Sequence, residues 1–568
     1  MSSNRSRYEP LPTDDVPDSS ASGGSTTLDD PLGGNEGSKR GLQQRHLSMM
    51  ALAGMIGTGL FLSSGKALAH AGPLGSVLAF VIMGTVTASI AFISAEMSAV
   101  KPVEGGFVRH ATLWLDRSTG ITVGWNFWYS MAITMPTEIS AAASLLEFWD
   151  PNVQLFFPIR YNSLTGQFLL GLDFSDTDHF SIFWFIIVVI NFSPVRVYGE
   201  FEFYLAFMKI ALIIFFIIGG LLLDLGFLPG RDRIGFRYWS DPYPTFREYV
   251  VTGLQGRFLG FCSAMISAAF AYGNVQVVAM AGAETRNPRK TIPMALKKTF
   301  TRVIIFYVVS IFVISLTIPA DDERLYFPSG DVSRSPFVIA FSGLGSKTLP
   351  SAVNAIVLSS AFSSGNACSF LASRTLHGLA LDGHAPSIFL KQNRFGTPYV
   401  AVAASVTFGA ISYTSLNQGA FQAFLWLVSL VTTAGILSWI IICLTYLRFF
   451  HSFKAQNISR KILPYRSPFQ PYITYYALIM NIFVLIFSGW NSFIPVFDLS
   501  LFVSNYINCI LYPFLYFSCK HYFGDTMIGL DTMDIRLELA LIDAEQEHED
   551  FIDRPKLSLY DKVLNSFF

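Results

Sequence analysis

Long apolar stretches alternate with short polar loops over most of this chain. About twelve of these stretches are long and apolar enough to form helices that cross a bilayer. They fall at residues 47–68, 74–98, 121–146, 180–198, 203–225, 257–282, 302–319, 351–373, 398–415, 421–447, 471–490 and 496–518. The pattern predicts an all-α polytopic membrane protein with about 12 transmembrane helices.

The composition agrees with this class. Of the 568 residues, 52% are hydrophobic and only 14% are charged, which is unusual for a soluble domain. The net charge is −1, so the chain offers no basic excess for a nucleic-acid partner. The five cysteines show neither metal-site spacing nor a disulfide framework, and we expect them to be small buried side chains.

The first apolar stretch contains Gly54, Gly57 and Gly59 within six positions, which should weaken a helix there. A helix break at membrane depth is tolerated where the freed backbone faces protein or a watery cavity. Its N–H groups would suit a carboxylate. Tight packing of small residues against a neighbouring helix explains the glycines equally well.

The sixth stretch contains a second helix-weakening pair, Gly273-Asn274, where freed carbonyls could bind a cation. The two interrupted stretches correspond if stretches 1–5 and 6–10 are repeats, which must then be inverted. Discontinuous helices 1 and 6 in a 5+5 inverted repeat indicate a transporter site. The predicted organisation is a disordered cytoplasmic N-tail 1–45, a first repeat 46–225, a second repeat 226–447, two further helices 448–520 and a cytoplasmic C-tail 521–568.

Two ionisable residues fall inside apolar stretches. Glu138 should face the protein interior, with a functional role favoured over a neutral structural carboxylic acid. Lys209 either reaches the membrane interface along its stem or points inward. An inward amine would respond to its surroundings as a proton-coupled carrier requires.

Basic loops predict the orientation, because cytoplasmic loops carry an excess of Lys and Arg. The loops after stretches two, six and ten are basic, which places both termini in the cytoplasm. The loop between stretches five and six is an exception, since it carries four arginines yet is predicted outside. The acidic segment Leu537–Asp553 is expected to be a solvated tail, with an amphipathic helix as the alternative.

Motifs of nucleotide-dependent enzymes are absent. Gly57-Thr58-Gly59 lacks the third glycine of a dinucleotide site, and Gly65-Lys66 is followed by Ala67 instead of Ser or Thr. The chain therefore has no visible ATP motor and no sign of being an enzyme.

Together these stretches resemble the fungal amino-acid permeases of the amino acid–polyamine–organocation superfamily, from about Arg40 to Lys520. The resemblance is carried by short motifs spread along the chain. They are Gly57-Thr58-Gly59-Leu60-Phe61, Glu96-Met97, Pro136-Thr137-Glu138-Ile139, Asn287-Pro288-Arg289-Lys290, Ala372-Ser373-Arg374 and Asp382-Gly383-His384-Ala385-Pro386.

The resemblance implies proton-coupled symport of amino acids into the cell at the plasma membrane, by alternating access. Backbone N–H groups of the first break would bind the substrate carboxylate, and carbonyls of Phe270 and Ala271 the α-amino group, with Phe270 as an aromatic gate. The expected substrate-binding residues are Ile56, Gly57, Thr58, Gly59, Phe270, Ala271, Tyr272 and Asn274. The expected proton-coupling residues are Lys209, Ser363, Ser364 and Glu138.

One position departs from the family pattern. Where the family usually has Gly-Thr-Glu, this chain has Asn274-Val275-Gln276, so an amide replaces a carboxylate. A role of that carboxylate in proton or cation binding therefore does not transfer, and the sequence leaves the preferred amino acids open.

The resemblance implies no cofactor beyond the proton gradient. Expected partners are an amino-acid substrate, the lipid bilayer and, on the tails, trafficking or ubiquitin-ligase proteins. An amino-acid receptor with little net flux is the alternative function. A channel fits less well, because it needs a continuous polar pore.

Overall fold

The computed structural model describes residues 56–103, 105–149, 159–162, 167–170, 179–227, 232–277, 288–325, 335–344, 348–414 and 420–540. These residues are helical apart from loops and one antiparallel hairpin, β1 (Ile159–Asn162) with β2 (Gln167–Leu170). The predicted all-α class is confirmed, with this hairpin as an addition that the apolar pattern did not indicate. The predicted N-tail lies outside the described residues.

The helices follow one another along the chain, with the longest connections between Leu146 and His179 and between Asp224 and Gly253. They are α1 (Thr58–Phe61), α2 (Ser63–Val100), α3 (Phe107–Trp114), α4 (Arg117–Leu146), α5 (His179–Phe192), α6 (Val195–Asp224), α7 (Gly253–Ala271), α8 (Pro288–Thr317), α9 (Pro336–Ser342), α10 (Thr348–Leu381), α11 (Tyr399–Thr407), α12 (Ala420–Ala455), α13 (Tyr472–Phe487) and α14 (Leu499–Phe523).

Each of the twelve predicted stretches overlaps one of these helices. Within the described part of the chain, seven helices are long and apolar enough to cross a membrane, and three shorter apolar helices accompany them. The protein is therefore polytopic, while the count of twelve crossings and the inverted repeat stay predictions.

One predicted boundary is displaced in a way that matters for the site. The fifth stretch was expected at 203–225, but α6 already begins at Val195, directly after Pro194. Arg196, Glu200 and Glu202 make the first turns of this helix polar, so hydropathy alone does not reveal where it starts. The shift places Glu202 inside α6, two turns before Lys209.

The first predicted break is present in the structure. Gly57 is extended, α1 lasts only four residues, and Leu62 separates it from α2. The chain then turns at Gly72, whose φ of 75° and ψ of 179° are outside the helical region. Since this positive φ favours glycine, Gly72 ends the first stretch and starts the second half of α2.

The second predicted break is also present. Helix α7 ends at Ala271, residues 272–276 form turns, and Asn274 has a φ of 67°. Asparagine tolerates this left-handed conformation better than most residues. Helices α2 and α7 pack against each other, so the two breaks lie side by side.

Residues 73–100 form the second half of α2. Each loop can be assigned to one end of this segment, here called the Gly72 end and the Lys101 end, by the residues that it contacts. At the Gly72 end, the backbone N–H of Arg247 donates to Ala71 O at 3.1 Å, and its guanidinium donates to Ala69 O and Ala320 O. The arginine-rich loop thus belongs to the Gly72 end. Arg247 serves there as a structural donor to backbone carbonyls, whereas the side of the membrane on which this loop lies stays a prediction.

Among the described residues, four ion pairs lie at the Lys101 end. They are Glu96 with Arg460, Lys101 with Glu538, Arg109 with Asp382, and Asp116 with Lys520. Glu96 is fully buried and also accepts from Tyr446 Oη at 2.8 Å and from the Ser467 backbone N–H at 2.8 Å. Each pair joins segments that are far apart in the sequence. The helix ends and loops at the Lys101 end are therefore held to one another by side-chain contacts.

The segment 524–540, after α14, folds back onto the Lys101 end. The Asp525 carboxylate accepts from the Ser118 backbone N–H at 2.8 Å and from Ser118 Oγ at 2.6 Å. Gln456 Nε2 donates to Met533 O at 2.8 Å, and Ile535 is buried. These contacts fix the segment up to Ile535 against the helix ends. Of the predicted solvated tail Leu537–Asp553, the structure describes residues 537–540 alone, where Glu538 is buried and pairs with Lys101 while Leu537 is exposed. Residues 541–553 lie outside the described residues, so the expectation for the tail stays a prediction.

Asp525→Ala is expected to loosen this segment. Hydrogen bonds to a half-buried carboxylate contribute about 1 kcal/mol, so tryptic cleavage after the exposed Arg536 should accelerate about five-fold. Limited proteolysis of the detergent-solubilised protein measures this rate. Asp531→Ala, in the same segment but exposed, is the control and should leave the rate unchanged. Equal rates for both variants would contradict the anchoring role of Asp525.

Candidate functional site

A cavity lies where the two helix breaks meet α4, α10 and α12. It comprises about 530 Å³, including space open to solvent. Its lining combines backbone from both breaks with polar side chains. The lining residues are Gly57, Gly59, Ser130, Thr134, Glu138, Ala269, Phe270, Ala271, Gly273, Asn274, Gln276, Ser364, Val431, Thr432, Gly435, Ile436 and Trp439.

Glycine is required in the first break because other groups approach very closely. A Cβ at Gly59 would lie 2.5 Å from Ala271 Cα, so the two broken segments meet backbone to backbone. A Cβ at Gly57 would lie 2.8 Å from Ser364 Oγ and 3.0 Å from Glu138 Oε1. The glycines therefore serve the packing role and, at the same time, leave their backbone facing the cavity.

Glu138 is the carboxylate that lines this cavity. It is 3% exposed, and its Oε1 accepts from Ser364 Oγ at 2.8 Å. The Thr58 hydroxyl lies beside the same carboxylate, yet Thr58 Oγ1 and Glu138 Oε2 both lack a hydrogen-bond partner. Buried polar atoms normally have partners, so these two are placed to meet a ligand, a water molecule or a proton.

Lys209 lies in the interior, with no exposed surface, behind the cavity lining. The structure thus places it inward and not at the membrane interface. Glu202 and Glu138 both act electrostatically on its ammonium group. The site therefore contains a buried cation close to two buried carboxylates.

Ser363 and Ser364, both expected as proton-coupling residues, bind different carboxylates. Ser363 Oγ donates to Glu202 Oε2 at 2.5 Å, whereas Ser364 donates to Glu138. Asn366 Nδ2 donates to the second oxygen of Glu202 at 2.6 Å. Helix α10 thereby contacts both acidic groups through adjacent residues.

The opposite wall of the cavity is formed by Gln276 and α12. Gln276 Oε1 accepts from Trp439 Nε1 at 2.9 Å, and both side chains are buried. This bond orients the amide, and Thr432 and Gly435 of α12 complete the wall. Val431 and Ile436 make the rest of this wall apolar, and none of its described lining residues carries a charge.

The structure brings together most, but not all, of the expected site residues. Gly57, Gly59, Phe270, Ala271 and Asn274 line the cavity, whereas Ile56, Thr58 and Tyr272 are buried beside it. The Tyr272 ring packs 4.9 Å from Tyr307 and 6.0 Å from Phe80, measured between ring centroids. Its side chain is thus directed into neighbouring helices.

Several lining residues were not anticipated from the sequence. Ser130 and Thr134 precede Glu138 by eight and four residues, so this helical spacing on α4 was a signal that could have found them. Thr432 and Trp439 of α12 carried no comparable signal. Glu202 was missed because the start of α6 was misplaced.

Comparison with known proteins places these features in a family. The family model described as amino acid permease matches residues 46–527. The chain is 35% identical to the lysine-specific permease of Saccharomyces cerevisiae over 508 residues, 89% of this chain and 79% of that protein. It is 33% identical to the proline-specific permease of Emericella nidulans, covering 93% and 94% of the two chains.

A third relative extends the range of named substrates. The dicarboxylic amino acid permease of Saccharomyces cerevisiae is 32% identical over 524 residues, 91% of this chain and 83% of that protein. The three names cover cationic, cyclic and acidic amino acids at nearly equal identity. With the family model spanning most of its length and relatives above 30% identity matched almost end to end, this chain belongs to the amino acid permease family.

Proposed function

We propose that this protein is a proton-coupled symporter that carries L-amino acids into the cell across the plasma membrane by alternating access. The observation that carries the proposal is the cavity in which two broken helices present backbone beside a buried carboxylate. Main-chain recognition suits amino acids because all of them share the same α-carboxylate and α-amino groups.

In this proposal the substrate carboxylate binds backbone N–H groups at Gly57, Thr58 and Gly59. The α-amino group binds carbonyls at Phe270 and Ala271, where α7 ends and helical acceptors are freed. The substrate side chain then points towards the wall formed by Gln276 and α12. The breaks therefore provide general recognition, and the wall provides selectivity.

Uptake of labelled amino acids by a permease-deficient cell that expresses this chain tests the proposal. We expect accumulation against the gradient at acid outside pH, and the same accumulation without sodium. Amino-acid binding without net flux would favour the receptor alternative. Flux that only equilibrates across the membrane would contradict proton coupling.

Lys209→Met is expected to abolish pH-driven accumulation. The substitution keeps much of the side-chain volume but removes the charge that balances the nearby carboxylates. The inside-to-outside ratio of labelled amino acid should then fall to unity at any outside pH. Lys391→Met, at an exposed position, is the matched control and should accumulate normally. A Lys209→Met variant that still concentrates amino acids would rule out the coupling role.

A further inference from the structure

We propose that Glu202 is the fixed counterion of Lys209, and that Glu138, not Lys209, carries the proton exchanged during transport. This rests on the proton-coupled function proposed above. It assigns Glu202 as a positioning residue for the coupling machinery.

Two side-chain donors hold the carboxylate of Glu202 in place. Its two oxygens accept from Ser363 Oγ and Asn366 Nδ2. Asn191 Nδ2 donates to Asn366 Oδ1 at 2.8 Å, which orients the Asn366 amide with its N–H towards Glu202. Hydrogen bonds donated to a carboxylate favour its charged form.

Lys209 lies seven residues after Glu202 on α6, so the two side chains share one helix face. Helical side chains lean towards the N-terminus, which directs Lys209 back towards Glu202. Glu202 exerts the strongest electrostatic effect on the ammonium, ahead of Glu138 and the Cys368 thiol. Both side chains have no exposed surface, and a buried charge that lost its partner would be costly.

Glu138 differs from Glu202 in two respects. Its Oε1 accepts from Ser364 Oγ at 2.8 Å, and Thr58 lies beside the carboxylate, but its Oε2 has no donor at hydrogen-bond distance, whereas both Glu202 oxygens have one. Glu138 also lines the cavity, whereas neither Lys209 nor Glu202 is among the described residues that do so. The carboxylate with fewer hydrogen-bond donors is therefore the one that faces the cavity, where water and substrate enter.

Among the described residues, the other titratable groups near these three are weak acids and the Arg374 guanidinium. Tyr307 and Cys368 lie near Glu138, while Tyr198 lies near Glu202 and also faces Arg374. None of them offers Glu138 a second cation. A proton from water on one side of the membrane then forms an O–H bond at Glu138 Oε2 and returns to water on the other side, while the Glu202–Lys209 pair stays charged.

The test compares Lys209→Met with the double variant Glu202→Gln/Lys209→Met, at matched amounts in the membrane. The single change leaves the Glu202 anion unbalanced, and the double change removes both charges. We expect the double variant to accumulate amino acid about ten-fold more than Lys209→Met. An effect of this size is typical of two neighbouring residues whose contributions depend on each other. If Lys209 carried the proton, both variants would be equally uncoupled.

Glu138→Gln gives a second readout if neither Lys209 variant reaches the membrane. We expect it to exchange labelled for unlabelled amino acid without pH-driven accumulation. Retained accumulation by Glu138→Gln, or a double variant no better than Lys209→Met or absent from membranes that contain Lys209→Met, would overturn the inference. Absence of flux in the unaltered protein would instead refute the proposed function.

Discussion

Gly59→Ala is expected to abolish amino-acid uptake while the protein still reaches the membrane. The added Cβ would lie 2.5 Å from Ala271 Cα and 3.1 Å from Ala271 N, and backbone cannot rotate away as a side chain can. Overpacking of this kind costs about 3 kcal/mol, which corresponds to an uptake about 100-fold lower. The strain falls where the two broken helices meet, so it separates the groups that bind the substrate.

Initial rates of labelled amino-acid uptake, divided by the amount of protein in the membrane, measure this effect. Gly378→Ala in α10 is the matched control, because its added Cβ has no atom within 4 Å. It should transport normally. Near-normal uptake by Gly59→Ala would mean that the close approach to Ala271 is not needed for transport. The same logic predicts loss of uptake for Gly57→Val, whose branched side chain would meet Ser364 and Glu138.

Gln276→Glu is expected to bring lysine and arginine into the substrate range. The unaltered protein should show no strong preference for them over neutral amino acids, because the Gln276 wall carries no charge. A glutamate at this position keeps an acceptor for Trp439 Nε1 and adds an anion that faces the cavity. A buried ion pair can change selectivity substantially, and we expect a gain of about ten-fold for cationic substrates.

Competition by each of the twenty amino acids against uptake of a labelled neutral one measures this selectivity. Gln276→Met has a similar volume without charge and should give no gain for lysine or arginine. Exclusive uptake of cationic amino acids by the unaltered protein would show that the Gln276 wall does not set the substrate class. An unchanged profile for Gln276→Glu would place the substrate side chain elsewhere in the cavity.

The misplaced start of α6 shows where sequence patterns lose information about the site. Hydropathy averages over many residues, so the charged residues Arg196, Glu200 and Glu202 hid the helix that starts after Pro194. Glu202 was therefore assigned to a loop, although it lies two turns from Lys209 on the same helix face. With the correct start, the spacing of these two charges would have indicated a buried pair.

Local chemistry was sufficient for the helical class, the approximate spans and the two breaks at Gly57–Gly59 and Gly273–Asn274. Apolar length and backbone preference are properties of short segments and need no tertiary contacts. Only the tertiary structure decided that Gly59 meets Ala271, that Gln276 bonds Trp439, and that Ser363 and Ser364 serve different carboxylates. The reason is that these relations depend on how each helix is rotated and which helix it packs against, and hydropathy along one chain records neither.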